Sequence, residues 1–212
     1  MDTASTPSTE PRGERVDSRR NRRLLIVAAK AAVSENGIHV SALDIAKEAG
    51  VGVGTLYRRF GTKEALIECI MLTLVEELRE EADQALADPD PWEGLAGFLI
   101  ALSESQWHCR GLAELAAIQP ERKFELFGEQ TRALLAAVER LTDRAHTAGV
   151  LRRDVSWRDI VLLARAPLET NQAMGLHGDD HQWRRTMAVV LDGLRAPGVS
   201  PLPGAPPQEG TT

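Results

Sequence analysis

The sequence predicts an all-α fold of about nine helices. Aromatic residues make up only 4% of the 212 residues, and clusters of the β-branched and aromatic residues that favour strands are scarce. Apolar residues recur instead every three or four positions, and glycine, proline and helix-capping residues separate these periodic stretches. We therefore expect no strand and no internal repeat.

Composition limits the class of protein. Hydrophobic residues are 43% and charged residues 26% of the chain, which is typical of a globular protein. No run of about 18 apolar residues occurs, so no membrane span and no membrane partner are predicted. The N-terminus lacks the apolar segment of a secretory signal, and Cys69 and Cys109 make no disulfide framework. We expect a soluble, cytoplasmic protein.

Charge is distributed unevenly along the chain. Residues 1–63 contain 11 Lys and Arg against 7 Asp and Glu, whereas residues 64–212 contain 14 against 24. The positive balance of the first segment favours a polyanionic partner for it. A solvated basic face would give the same balance, so this interpretation requires a motif.

The first two helices follow an N-terminal arm. Residues 1–17 are rich in Ser, Thr, Pro and Glu and are expected to be disordered. A periodic apolar face predicts a helix over about 19–36, which stops at Gly37. Ser41 followed by Asp44 is a capping-box pattern, and it opens a short second helix.

The second helix is expected to end near Gly50, and a third short helix covers about 53–60. Thr62 caps a long fourth helix that has Glu64 in its first turn. Its apolar face consists of Leu66, Ile67, Ile70, Met71, Leu74 and Leu78.

The second half continues with longer helices. Asp90 and Pro91 open a helix that runs to about residue 107, and a short helix near 110–118 follows it. The next helix stops at Gly149. Its apolar face consists of Phe127, Thr131, Leu134, Val138, Leu141 and Ala145.

Two further helices are predicted before the C-terminus. Ser156 and Asp159 start one that reaches about Gly175, and the last covers about 180–195. Pro167 lies inside the periodic stretch 157–175, where it would either kink the helix or mark a later helix start. Residues 197–212 contain five of the eleven prolines and are expected to be a disordered tail.

Residues 41–66 carry the most informative pattern. Two short helices are joined by a tight turn at which Gly50 supplies the positive φ. Leu56 and Phe60, four residues apart, would anchor the second helix to the core. A DNA major groove about 12 Å wide admits such a helix. The outer surface of the helix would present Val53, Gly54, Thr55, Tyr57, Arg58 and Arg59.

A larger set of positions fits one register with this pattern. The set is Leu25, Ile26, Ala28, Ala29, Gly37, Asp44, Ile45, Ala46, Ala49, Gly50, Val51, Gly54, Thr55, Leu56, Tyr57, Phe60, Lys63, Glu64 and Leu66. In this register the segment resembles the tetracycline-repressor (TetR) family of one-component transcriptional regulators. The joint match is far more specific than a generic helix-turn-helix pattern, whereas beyond residue 70 only the number of helices is similar.

The resemblance implies an organisation and a function. A three-helix DNA-binding domain would occupy residues 18–63, and a helical bundle for ligand binding and dimerisation would occupy residues 64–196. The protein would be a repressor that binds a palindromic double-stranded DNA operator as a homodimer and releases it when a small organic effector binds. No cofactor, no metal and no catalytic residue is expected.

The resemblance also implies which residues contact DNA. They are Ser41, Val53, Gly54, Thr55, Tyr57, Arg58, Arg59 and Lys63. Ser41 would offer its hydroxyl or its backbone N–H to a phosphate, and Lys63 matches the phosphate-binding lysine of the family. Gly52 and Val53 depart from the family, which often has serine and a polar residue there. Sequence specificity would therefore depend on the threonine, the two arginines and DNA shape.

The effector site and the dimer interface are expected in the second half. A pocket that is mainly apolar with a few polar groups suits a small molecule. Its candidate lining residues are Phe98, Trp107, Phe124, Phe127, Glu169 and Asn171, although several of them fit an ordinary core equally well. The last two helices would form a two-fold contact. Its candidate residues are Trp183, Met187, Val190, Leu191 and Leu194.

Two further patterns fit ordinary structure better than chemistry. The segment from His177 to His181 contains two histidines and two aspartates, but it also suits a polar connection between helices, and no further metal-ligand spacing supports it. His108 and Cys109 are adjacent on a helix and would not face one another. The alternative to a DNA-binding regulator is a helical small-molecule carrier or small all-α enzyme whose N-terminal helices serve packing only.

Overall fold

A computed structural model of the protein describes most of the chain. The described residues are 24–33, 40–108, 120–167, 172–173, 175–179, 181–197 and 200–208, without the side chains of 108, 120–127, 172–173 and 176–177. Within them the chain forms eight helices and one short antiparallel ladder, which confirms the all-α class. The chain divides after Ile70 into two compact units. None of the described helices is both long and apolar enough to cross a membrane.

The first unit is built from four helices. They are α1 (24–33), α2 (Ala42–Glu48), α3 (Val53–Phe60) and the start of α4 (Lys63–Ala87). The Ser41 hydroxyl accepts a hydrogen bond from the Asp44 amide at 3.1 Å, and Thr62 accepts one from the Ala65 amide at 3.0 Å. Both predicted caps are therefore confirmed, because each satisfies a backbone donor of a first turn. Residues 34–39, including Gly37, lie outside the described residues.

The core of the first unit is made of small and medium aliphatic side chains. Its buried members are Leu25, Ala28, Ala29, Ala32, Val33, Val40, Ala42, Ile45, Ala46, Leu56, Leu66, Ile67 and Ile70. The alanines of α1 and α2 among them have small side chains that permit close helix packing. This core contains the anchor Leu56, whereas Phe60 is half-buried.

The second unit consists of the rest of α4, four further helices and a hairpin. The elements are α5 (Pro91–His108), α6 (Pro120–Thr147), α7 (Trp157–Leu163), β1 (Gln172–Ala173), β2 (Leu176–His177) and α8 (Gln182–Leu194). Helix α5 packs against α6 and α8, and α6 packs against α7. Leu95, Phe98, Leu99, Leu141 and Ile160 are among the buried side chains at its centre.

Capping residues start two of these helices as predicted. The Asp90 carboxylate accepts hydrogen bonds from the Trp92 amide at 2.8 Å and the Glu93 amide at 3.2 Å. Ser156 and Asp159 form a complete capping box at the start of α7. These bonds satisfy N-terminal donors that have no partner inside the helix.

The predicted helix from Ser156 to Gly175 is wrong in its second half. Helix α7 ends at Leu163, and the buried Ser103 hydroxyl donates a hydrogen bond of 2.9 Å to the Ala164 carbonyl just beyond it. Pro167 consequently lies after α7 and does not kink it. The hairpin of β1 and β2, with Gly175 at φ 83°, was likewise not expected. The predicted short helix near 110–118 lies outside the described residues.

Candidate nucleic-acid interface

The turn between α2 and α3 is closed by backbone hydrogen bonds. Gly50 has φ 65°, and its amide donates to the Lys47 carbonyl at 3.0 Å. The Val51 amide donates to the Ala46 carbonyl, also at 3.0 Å. This pair of bonds is the Schellman arrangement, which satisfies the last carbonyls of a helix and requires a left-handed residue. The turn therefore fixes the direction in which α3 leaves α2.

Helix α3 has one buried face and one exposed face. Leu56 is fully buried, whereas Tyr57 is 49% exposed. Gly54 and Arg58 are exposed, and Val53, Thr55 and Arg59 are half-buried. The structure thus brings the predicted α3 residues together on one short helix, with Gly54, Tyr57 and Arg58 furthest into solvent.

The first turn of α3 is sterically open. Gly52 is the N-cap, with φ −69° and ψ 142°, and it makes no side-chain capping bond. Apart from its two chain neighbours and the backbone of its own helix, a Cβ atom added to Gly54 would meet no atom within 4 Å. The start of α3 can therefore approach a partner surface closely without a side chain between them.

Charge on α3 is of one sign. Arg58 and Arg59 occupy its last turn, and none of its eight residues is acidic. Cations are favoured at this end by the helix dipole, so the arginines stabilise the helix and create a basic patch. Such a patch suits a phosphate backbone.

Ser41 and Lys63 lie beside the start of α2. The Lys63 ammonium donates a hydrogen bond of 3.2 Å to the Val40 carbonyl, the residue directly before Ser41. The Ser41 hydroxyl donates to the Asp44 carboxylate at 2.5 Å. Because that hydroxyl proton is already used, the backbone N–H is the better of the two predicted phosphate donors at Ser41. Sequence reasoning missed the Lys63 contact, since nothing local links residues 23 positions apart.

The candidate effector residues are only partly placed. Phe98 is 1% exposed within the core of the second unit, and Trp107 is half-buried near the end of α5. The side chains of Phe124 and Phe127, and all of Glu169 and Asn171, lie outside what is described. The effector site therefore stays a prediction, and Phe98 fits ordinary core packing.

The candidate interface residues on α8 face their own chain. Trp183, Met187 and Leu194 are 2%, 1% and 3% exposed, and Val190 and Leu191 pack half-buried against the same core. The interface stays a prediction, but the first three side chains are not accessible to a second copy. Sequence reasoning missed two exposed apolar side chains, Val189 and Leu162. The exposure of Val189 could have been inferred from the sequence, because this residue lies off the periodic apolar face that packs against the core.

The histidine-rich connection forms local hydrogen bonds. Asp179 accepts from the His181 amide at 2.8 Å, and the His181 ring lies 3.0 Å from the Arg184 guanidinium. Within the described part of the chain, no three His, Cys, Asp or Glu side chains are grouped so as to hold a metal ion.

Two sequence profiles match this chain. Residues 25–70 match that of the bacterial regulatory proteins of the tetR family. Residues 90–196 match that of the C-terminal domain of SbtR-like transcriptional regulators. Together they include α2, α3 and every helix of the second unit except the remainder of α4.

Known structures resemble the chain over most of its length. The TetR transcription regulatory protein of Mycobacterium vanbaalenii is 28% identical with a TM-score of 0.64, covering 86% of this chain and 99% of that one. The TetR transcriptional regulator SCO0520 of Streptomyces coelicolor is 30% identical with a TM-score of 0.61, covering 82% and 98%.

Curated relatives match a shorter segment. The HTH-type transcriptional regulator YhgD of Bacillus subtilis is 34% identical over 85 residues, which is 39% of this chain and 44% of that protein. SAR0097 of Staphylococcus aureus is 36% identical over 84 residues, 38% of this chain and again 44% of its own length. The match thus spans less than half of these relatives.

Proposed function

Because this chain belongs to the TetR family of bacterial transcriptional regulators, we propose that it is a repressor that binds a palindromic operator as a homodimer. We further propose that a small organic effector, bound by the second unit, releases it from DNA. Family membership makes the chain a helix-turn-helix regulator and not an enzyme, which confirms the coarser prediction from the sequence. The repressor role, the dimer and the release are the proposal.

The observation that carries the proposal is the exposed face of α3. A short helix that is anchored by buried Leu56 presents Tyr57 and Arg58 to solvent, and its first turn is open at Gly54. A phenol, a guanidinium and a bare backbone suit the edges of base pairs and the phosphates in a major groove. Thr55 and Arg59 would contact DNA from the sides of the helix.

The start of α2 provides a second contact with DNA in this proposal. Lys63 holds its ammonium next to Val40, beside the first turn of α2. A backbone N–H of this turn and the ammonium would bind one phosphate on the flank of the groove. This contact would orient α3 but carry no sequence information.

Effector release requires two forms of the homodimer. The DNA-bound form would hold its two α3 helices one helical turn of DNA apart, about 34–36 Å, and the released form would not. An effector shifts this equilibrium only if it binds the released form more tightly. We place its site in the second unit, where Trp107 near the end of α5 is a half-buried candidate.

Binding to DNA can be tested with the full chain and point variants. The probe is the DNA upstream of its own gene, together with sequences selected from a random pool, in gel shifts over a range of salt concentrations. Tyr57→Ala should weaken binding. Lys63→Gln keeps a hydrogen-bond donor for Val40 but removes the charge, so the slope of log affinity against log salt should fall by about 0.9 per half-site. Arg132→Ala, an exposed arginine of α6, is the control for general loss of positive charge.

The outcomes separate the proposal from its rival. A salt-sensitive complex that Tyr57→Ala and Lys63→Gln weaken, and Arg132→Ala does not, supports DNA binding through α3. If no salt-sensitive complex forms with any sequence, a small-molecule carrier becomes the better interpretation.

If a complex does form, effector release is tested separately. Mass spectrometry of molecules that copurify with the chain identifies a candidate effector, and the proposal requires that this molecule release the chain from the operator. Glu169→Gln should weaken its binding; unchanged affinity would exclude Glu169 from the site.

A further inference from the structure

Helix α2 carries one large apolar side chain that the core of the first unit does not use. Leu43 is 63% exposed, whereas the residues that α2 turns toward the core are buried. Those residues are Ala42, Ile45 and Ala46. A single exposed leucine is common on protein surfaces and requires no explanation by itself. The informative feature is the chemistry of the residues around it.

The exposed surface of α2 is divided into two flanks of different chemistry. Successive residues of an α-helix are rotated by about 100°, and residues four apart lie on the same face. Leu43 and Lys47 therefore share one flank, called the first flank below. Asp44 and Glu48 share the other, and all four residues are exposed. The first flank is apolar and basic, and the second carries two carboxylates.

Only the first flank suits a phosphate backbone. The two carboxylates of the second flank repel phosphates, whereas the ammonium group of Lys47 attracts them. When α3 enters a major groove, α2 lies against the same stretch of DNA, because the turn at Gly50 joins the two helices directly. The flank that carries Leu43 is therefore the one that we expect to face DNA.

Leu43 also lies next to the proposed phosphate contact. The Cα–Cβ bonds of an α-helix tilt toward its N-terminus, so the Leu43 side chain leans toward the start of α2. The Lys63 ammonium is bonded to the Val40 carbonyl, just before that start, at 3.2 Å. Along α2, Leu43 thus lies between this ammonium and that of Lys47. An apolar side chain is placed between two cations that suit phosphates.

The chemistry of leucine limits what it can contact on DNA. Its side chain has no donor or acceptor for a phosphate or for the polar atoms of a base. The apolar group that base edges present in the major groove is the C5 methyl group of thymine. The first turn of α3 begins with Val53 and Gly54, which likewise have no hydrogen-bonding side chain. Apolar contact is therefore the form of base recognition that this part of the surface can provide.

We propose that Leu43 contacts a thymine methyl group at the edge of the major groove and so determines sequence specificity together with α3. The inference rests on the proposed DNA binding and adds to it a base contact from α2. Burial of one methyl group corresponds to about a fourfold change in affinity, which is the discrimination expected in each half-site.

The test removes the methyl group from the DNA and the leucine from the protein. An operator selected by the full chain from a random pool is resynthesised with one thymine at a time replaced by deoxyuridine, which lacks only the C5 methyl group. In gel shifts, one such replacement per half-site should weaken binding of the parent about fourfold. Leu43→Ala should bind the thymine and deoxyuridine versions of that position equally.

Two further variants make the comparison specific. Leu43→Gln has a side chain of similar size with a polar end, and it should also lose the discrimination. Val27→Ala is the matched control, because Val27 is an apolar residue of α1 that is 61% exposed, and it should discriminate as the parent does. Alanine has the highest helix propensity, so Leu43→Ala should stay folded, which thermal unfolding checks.

The results separate this inference from the proposed function. If no salt-sensitive complex forms with any DNA, the proposed DNA binding fails and the inference fails with it. If a complex forms but no thymine methyl group affects it, or Leu43→Ala and Leu43→Gln still discriminate, DNA binding stands and Leu43 does not recognise a base. Equal weakening of Leu43→Ala on every sequence, with the discrimination retained, would place the side chain against the sugar-phosphate backbone and overturn the inference.

Discussion

Gly54 offers the sharpest test of the DNA-binding surface, because its side-chain position is open in the protein itself. Gly54→Ala adds one methyl group in the first turn of α3, at a place where no atom beyond the neighbouring residues and the backbone of that helix lies within 4 Å. Within the chain the only effect is on the backbone: alanine is favoured over glycine in a helix by about 0.5–1 kcal/mol. The variant should therefore be as stable as the parent or slightly more stable.

On DNA the same methyl group should be unfavourable. If α3 enters the major groove with this turn against the base edges, the methyl group occupies space that the DNA needs, and overpacking of that kind costs about 1–3 kcal/mol. At about 1.4 kcal/mol per factor of ten, this corresponds to about 5- to 150-fold weaker binding per half-site. Stability and affinity are thus expected to change in opposite directions.

The assay pairs thermal unfolding with a gel shift on the selected operator. Gly97→Ala is the matched control: Gly97 is an exposed helical glycine of α5 that also has open space at its Cβ position. It should stabilise the chain by a similar amount and leave operator affinity unchanged. Parental affinity for Gly54→Ala, with the expected rise in stability, would refute close approach of this turn to DNA.

Three other predictions concern stability. Leu56→Ala should destabilise the chain by about 2–5 kcal/mol in a denaturant titration, because Leu56 is fully buried, and a loss below about 1 kcal/mol would contradict its role as the anchor of α3. Ser156→Ala removes the capping box with Asp159 and should cost about 0.5–2 kcal/mol in the same titration; no loss would mean that the box does not stabilise α7. The pKa of Asp154 is lowered by its pairing with Arg152, so its stabilising effect is fully present above the unfolded value of about 3.9 and is lost as pH falls below it. The Leu202 amide donates a hydrogen bond of 2.9 Å to Asp154. The hydrogen-exchange rate of this amide, corrected for the intrinsic rate, should therefore be constant from about pH 5 to 8 and higher below about pH 4. A corrected rate that rises as the pH is raised would contradict the stabilising role of Asp154.

The sequence predicted best those features that depend on neighbouring residues. The caps at Ser41, Thr62, Asp90 and Ser156 each join a side chain to an amide two or three residues away, so their pattern is visible in the sequence. The turn at Gly50 is local in the same way. Because the candidate DNA surface consists of two short helices and this turn, most of it could be inferred before its geometry was known.

The end of α7 shows where this approach fails. Apolar residues continue past Leu163 at helical spacing, and Pro167 alone did not indicate where the helix stops. The Ala164 carbonyl is instead bonded by Ser103, which lies 61 residues earlier in the chain. A buried hydroxyl that captures a carbonyl after the last turn replaces a bond that a continuing helix would make. No local pattern reports such a contact, so the predicted helix continued too far.

Helix α8 shows what apolar periodicity can and cannot select. The apolar positions at helical spacing, such as Trp183, Met187 and Leu194, form the face that packs on the chain's own core. A helix that must also contact a second copy needs apolar residues outside that face. Val189 is such a residue, because it lies off the periodic face and is 73% exposed. On α8 the residue that breaks the pattern is therefore accessible to a partner, whereas the three buried residues that define the pattern are not.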